Sequence, residues 1–214
     1  MKKGLLIILS GPSGAGKGSV LAEVKKRYDN LAVSVSVTTR QPRAGEIDGV
    51  HYHFKTVDEF IELGRQDAFL ENECNYGNYY GTLKSEVIDN LNRGKDVVLE
   101  IDVKGAFNVL GKYPDAVSIF VCPSSMDVLK ERLKGRGSET AEALRVRLTS
   151  AIGEIKQATR YGYVVVNNDI QESAEDVVSI IKAEKCSAKI NREFIENLAN
   201  GGNALWWSIH QSTS

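Results

Sequence analysis

The chain has 214 residues, 42% of them hydrophobic and 26% charged, a balance that suits one soluble domain with a substantial core. Its net charge is −1, so no global field draws it to nucleic acid or to a membrane surface, and any anion must be held by a local cluster. Cys74, Cys122 and Cys186 are odd in number and far apart, which argues against a disulfide framework or a zinc site and fits a reducing cytoplasm, and the N-terminal run LLIIL is too short for a signal segment or a bilayer span.

In chain order, GLLIILS (4–10) is all-apolar and reads as a parallel strand covered on both faces. SVLAEVKKRY follows as a helix with Val20, Leu21 and Val24 on one side. DVVLEID (96–102) and AVSIFVC (116–122) read as further buried strands, separated by helical VKGAFNVLGK. YVVVNN (163–168) is expected to be another buried strand, followed by helical SAEDVVSIIKAEKCSAKI. Apolar strands alternating with helices predict an α/β fold with a doubly wound parallel sheet.

Two stretches break this rhythm. Residues 36–84 are rich in Thr, Tyr, Asn, Gly and Arg and hold short alternating segments such as VHYHF, which predicts a small mixed α/β insertion. Residues 125–160 read as an arginine-dense helical hairpin, a lid over the sheet. The expected division is a core of 1–35, 85–124 and 161–200, the insertion 36–84, the lid 125–160 and a tail 201–214. The tail holds Trp206 and Trp207 side by side and is a native tail, a docking segment or an expression remnant.

GPSGAGKGS (11–19) fits the G-x-x-x-x-G-K phosphate-binding loop, with a strand before it and a helix after it. Gly11, Pro12, Ser13, Gly14, Ala15 and Gly16 supply a bare backbone whose N–H groups can wrap phosphate oxygens. The helix that starts near Lys17 points its positive end at the same place, and Lys17 reaches the β- and γ-phosphates. The residue after Lys17, usually Ser or Thr, is Gly18, with the hydroxyl one step late at Ser19. Magnesium is still expected, met by Ser19 directly or through water.

SVTTRQPRAGEIDGVHYHF, FLENECNYGNYYGT, LEIDVKGA and LKERLKGRGSET followed by RVRL closely resemble guanylate kinases, a family of P-loop nucleoside monophosphate kinases, over residues 4 to 190 with the motifs in order. The resemblance implies transfer of a phosphoryl group from ATP to GMP or dGMP, in the cytoplasm, with oligomeric state left open. It implies that Arg40, Arg43, Tyr52 and Tyr80 hold the GMP phosphate, and forked guanidinium groups suit phosphate oxygens. It places guanine at Glu71, with Ser36 and Thr82 as base-contacting hydroxyls. Guanine offers two adjacent donors to one carboxylate, whereas adenine would leave Glu71 poorly paired. Glu73 matches no motif role and is expected in solvent or in an ion pair.

Glu100 and Asp102 are expected on the same side of one strand end, touching GMP or water around magnesium, with capping of the next helix as the competitor for Asp102. Arg132 and Arg136 share a helical face, and with Arg147 on the next helix they align with the family's lid arginines, which neutralise charge on the transferring group. Arg145 is expected to point elsewhere. Adenine falls to Asn167 or Asn168, with Asn168 taken as the ATP-binding residue. His51 and His53, alternating along a predicted strand, have no third partner for a metal. The rival readings are a non-catalytic guanylate-kinase-like interaction module, which Lys17 argues against, and a kinase for another nucleotide, which Glu71 with Thr82 argues against.

Overall fold

The computed structural model describes residues 3–75, 77–134 and 141–201. Residues 202–214, and with them both tryptophans of the expected tail, lie outside the described residues, as does Arg136.

β1 (Leu6–Ser10) is buried at every position, as an all-apolar run must be when helices cover both faces. It lies at the centre of a five-stranded sheet in the order β2-β7-β1-β8-β9, with β2 (Leu31–Val33), β7 (Asp96–Glu100), β8 (Val117–Pro123) and β9 (Tyr163–Asn167). Every pairing in this sheet is parallel. On one face Ile7, Leu9, Ile119 and Val165 pack against α1 (Lys17–Arg27) and α7 (Ile170–Lys185) through Val20, Val24, Val177 and Ile181. On the other, Ile8, Val97, Leu99 and Phe120 meet Val87 of α3 (Lys84–Asn92) and Val103, Ala106 and Val109 of α4 (Val103–Lys112). The sheet is doubly wound, as expected.

Three expectations need correction. β9 is an edge strand, and Val164 and Val166 are 49% and 55% exposed, because α7 covers one of its faces and no helix among the described residues covers the other at these positions. β7 ends at Glu100, and Asp102 has left the ladder to cap α4. α7 begins three residues before SAED, where Asp169 accepts from the backbone N–H groups of Gln171 and Glu172, and stops at Lys185.

A second sheet, in the order β4-β3-β6-β5, holds β3 (Val37–Thr38), β4 (His53–Phe54), β5 (Phe69–Asn75) and β6 (Asn78–Leu83). α2 (Val57–Arg65) closes it, with Phe60 stacked on Phe69 and Tyr79. A capping box starts α2, Thr56 and Glu59 satisfying each other's backbone N–H. His51 lies in the turn before β4, outside the strand predicted for it. α5 (Met126–Lys134) and α6 (Ala141–Ile155) pack through Leu129, Leu133 and Ala151 above the end of the core sheet, and α8 (Arg192–Ala199) ends the described chain.

At the amino end of β7 the fully buried Asp96 accepts from the Leu5 N–H at 2.8 Å and the Tyr28 hydroxyl at 2.7 Å, and pairs with Lys185 at 2.7 Å. A buried carboxylate is tolerable only when its oxygens are satisfied in this way, and the arrangement ties β1, α1 and α7 to β7.

Candidate active site

The carboxyl ends of the core strands open into a cavity of about 760 Å³, walled on the far side by the second sheet. A ligand crevice at this end of a parallel sheet is what the fold provides. One wall is the turn between β1 and α1, where Gly16 adopts φ 92 as the N-cap of α1. A Cβ there would lie 2.3 Å from Nδ2 of Asn167, so only glycine fits. Asn167, buried at the end of β9, donates to the Ala15 carbonyl at 2.7 Å. Asn168 is exposed. Of the two, Asn167 therefore braces the loop, a role that the alternation of β9, with residues 163, 165 and 167 on one face, makes available.

Gly11, Ser13, Gly14, Gly18 and Ser19 line the cavity with Lys17, whose ammonium donates to the carbonyls of Gly11 at 2.5 Å and Pro12 at 3.2 Å. Two arginines of the α5–α6 hairpin reach the same loop. Arg132 donates to the Ala15 carbonyl at 3.2 Å and the Asn167 carbonyl at 3.3 Å, and Arg147 donates to the Ser13 hydroxyl at 2.7 Å. Arg145 faces outward and pairs with Glu142. Glu154 of α6, which the sequence reading passed over, also lines the cavity; burial raises its pKa, against the pull of Lys17.

The facing wall carries Ser36, Arg43, Tyr52 and Tyr80, the two tyrosine rings meeting edge to face at 6.2 Å. Burial raises the Tyr52 pKa, so its phenol stays a hydrogen-bond donor. Arg40 does not line the cavity. Its guanidinium makes a bidentate pair with Glu46 at 2.8 and 2.9 Å and sits 5.3 Å from the Tyr52 ring centre. Glu46 also accepts from the Arg43 N–H at 2.7 Å, and Arg40 holds its carboxyl down to about 2. Glu46 thus ties the Arg40–Arg43 loop together, a role hidden in the RAGE segment.

Glu71 is 5% exposed and accepts from the fully buried Thr82 hydroxyl at 2.7 Å. Desolvation pushes its pKa up to about 7, against the Thr82 hydrogen bond and with help from the charge of Asp102. Glu73 is buried too, its carboxylate gripped by Lys104 and Asn108 of α4. Asp102 accepts from the Gly105 N–H at 2.8 Å through one oxygen and from the Asn75 amide at 3.1 Å through the other. Glu100 instead faces α1, where a Cβ on Gly18 would lie 3.5 Å from its carboxylate. The two acids expected to act as a pair face different neighbours, because the chain turns into α4 between them.

A loop of bare backbone at a helix start, a lysine, and arginines delivered by a helical hairpin define a phosphate-handling α/β protein of the P-loop nucleotide kinase class. A profile of the guanylate kinase family matches residues 3–184, and the chain belongs to that family. It is 49% identical over 184 residues to a guanylate kinase of Clostridium perfringens strain SM101, covering 86% of this chain and 85% of the relative. It is 47% identical over 192 residues to one of Caldanaerobacter subterraneus subsp. tengcongensis, covering 90% and 93%. The crystal structure of guanylate kinase from Anaplasma phagocytophilum superposes with a TM-score of 0.74 at 33% identity, covering 87% of this chain and 89% of that one.

Proposed function

We propose that the protein transfers the terminal phosphoryl group of ATP to GMP, giving ADP and GDP, by in-line displacement across the cavity. The observation that carries this reading is the juxtaposition, in one cleft, of the Lys17 loop with the Glu71 wall. The donor triphosphate lies in residues 11–19, with Asn168 at the adenine end, and Lys17 exchanges its carbonyl partners for phosphate oxygens. The acceptor phosphate lies against Arg40, Arg43, Tyr52 and Tyr80, with Glu46 holding the Arg40 guanidinium beside the Tyr52 ring. The ionised Glu71 takes the two donors of guanine, beside Ser36 and Thr82.

The acceptor phosphate oxygen is already a nucleophile, so no general base is needed. Positioning and charge neutralisation carry the rate. Arg132 and Arg147, joined by Arg136, supply the neutralising charge as the lid, residues 125–160, closes and excludes water. Glu100, Asp102 and Glu154 also line the crevice.

The donor set suits magnesium. Ser19 and Glu100 offer hard oxygens beside the phosphate loop, and among the described residues no three acidic, histidine or cysteine side chains group closely enough to form a cage. That matches an ion that keeps several waters and binds mainly through substrate phosphates. When bound, it neutralises β- and γ-phosphate charge. Placement in the cytoplasm is supported by three free thiols, and no helix among the described residues is long and apolar enough to cross a membrane.

The test is ADP release measured with GMP, AMP, UMP and CMP in parallel, for the natural sequence and for Lys17→Met. GMP-dependent turnover that falls by about a hundredfold or more in the variant is expected. Equal use of AMP, or near-normal turnover in Lys17→Met, defeats the reading.

A further inference from the structure

β5 carries Glu71 in the second sheet, yet its pocket-facing side chains rest along α4 of the core. Asn75 donates to Asp102, the cap of α4, at 3.1 Å. Glu73 is held by Lys104 and Asn108. Lys112 donates to the Leu70 carbonyl at 2.9 Å. Lys104, Asn108 and Lys112 are spaced by four, so they form one stripe along the helix, and the strand runs down that stripe from residue 75 to residue 70.

Glu71 sits in the middle of this seam, opposite Gly105. A Cβ at Gly105 would lie 2.8 Å from Oε2 of Glu71 and 3.3 Å from Oδ1 of Asp102. The first is closer than real Cβ contacts allow, and the second is tight enough that Asp102 would have to give slightly. Oε1 is meanwhile held by Thr82, so Oε2 has no simple retreat.

We infer that helix α4 gauges the guanine-selecting carboxylate: Gly105 is a specificity-determining position, and Glu73, through Lys104 and Asn108, is a positioning residue for the strand that carries Glu71. The inference rests on the reading that Glu71 receives guanine. Its chemical consequence is particular. Guanine needs both carboxylate oxygens in one plane for its two donors, whereas hypoxanthine, which lacks the 2-amino group, needs only one. Displacing Oε2 therefore costs GMP more than inosine monophosphate. Loss of overall stability, or of the phosphate sites, would affect both alike.

The test is steady-state kinetics with GMP and with inosine monophosphate for Glu71→Gln, Gly105→Ala and Glu73→Gln, with ATP affinity measured by calorimetry on each. Gly105→Ala is expected to raise KM for GMP by about tenfold or more, the scale of one charge-assisted hydrogen bond, while KM for inosine monophosphate and ATP affinity change little. Glu73→Gln is expected to lower the preference for GMP in the same direction by a smaller factor. It also removes one of the negative charges facing Glu71, leaving Asp102 before α4, Lys112 on α4 and the neutral Thr82 on β6. The pH at which KM for GMP begins to rise on acidification then moves lower, a shift that loosening alone would not produce.

Should Gly105→Ala fail to fold, Glu73→Gln decides the matter by itself. A GMP preference and pH midpoint equal to the natural sequence in the variants that fold, with Glu71→Gln impaired for GMP, overturns the role of α4 and leaves Glu71 in place. Normal GMP use by Glu71→Gln overturns the reading of the site itself.

Discussion

Replacing Glu71 with Gln should stabilise the unliganded protein, and more so as pH rises. The folded carboxyl has its pKa raised from 4.5 to about 7, first by burial and then by Asp102 and Glu73. Folding therefore favours the protonated form, and the stability tied to that proton is fully present below 4.5 and is lost as pH climbs through about 7. At about 1.36 kcal/mol per pH unit, the loss relative to acid conditions is ~1 kcal/mol at about pH 5 and ~3 kcal/mol at about pH 8. Gln imitates the neutral carboxyl at every pH and can still accept from Thr82. Its advantage over Glu should thus widen by ~2 kcal/mol between about pH 5 and pH 8, or roughly 5 °C in melting temperature for a domain of this size. Urea unfolding without nucleotide, across that pH range, measures it, and GMP titrations on the same samples should show the accompanying loss of affinity. A constant or shrinking advantage would mean that Glu71 is not desolvated in the free protein, and the argument for a poised, costly carboxylate would fail.

Two further outcomes are expected. Asp96→Ala removes the acceptor of the buried Leu5 N–H and of the Tyr28 hydroxyl and deprives the half-buried Lys185 of this carboxylate, so urea unfolding should show a loss of ~3 kcal/mol, while turnover of the folded fraction stays near normal because Asp96 lies at the amino end of β7, away from the cavity. Asn167→Ala removes the brace on the Ala15 carbonyl, and calorimetry should find ATP bound about tenfold more weakly with GMP affinity little changed; unaltered ATP affinity would show that the loop holds its shape without it.

The motifs drew attention to Glu71 and dismissed Glu73, yet both are buried against one helix, and it was their shared strand face that mattered. The sequence contained that alternation, but not the fact that α4, about thirty residues on, would lie beneath it. Glu46 shows the same gap at shorter range: the RxxR pair drew attention to two arginines, and not to the carboxylate that pairs with the Arg40 guanidinium and accepts from the Arg43 N–H. The capping box of Thr56 and Glu59, by contrast, is complete within four residues and needs no distant partner.

What the amino-acid order determined by itself was whatever depends on near neighbours: the all-apolar β1, the glycine-bearing turn, the buried face of α1, the helical run of α4, and through these the doubly wound class. Backbone sterics and the periods of strand and helix act within a few residues, so they can be read directly. Only the tertiary structure decided that Asn167 rather than Asn168 braces the loop, that Asp102 turns to cap α4 while Glu100 faces α1, and that β9 leaves two valines bare. Each of these depends on which distant surface arrives opposite a side chain and whether it brings a partner or excludes water. That is a property of the packed pair, carried by neither segment alone.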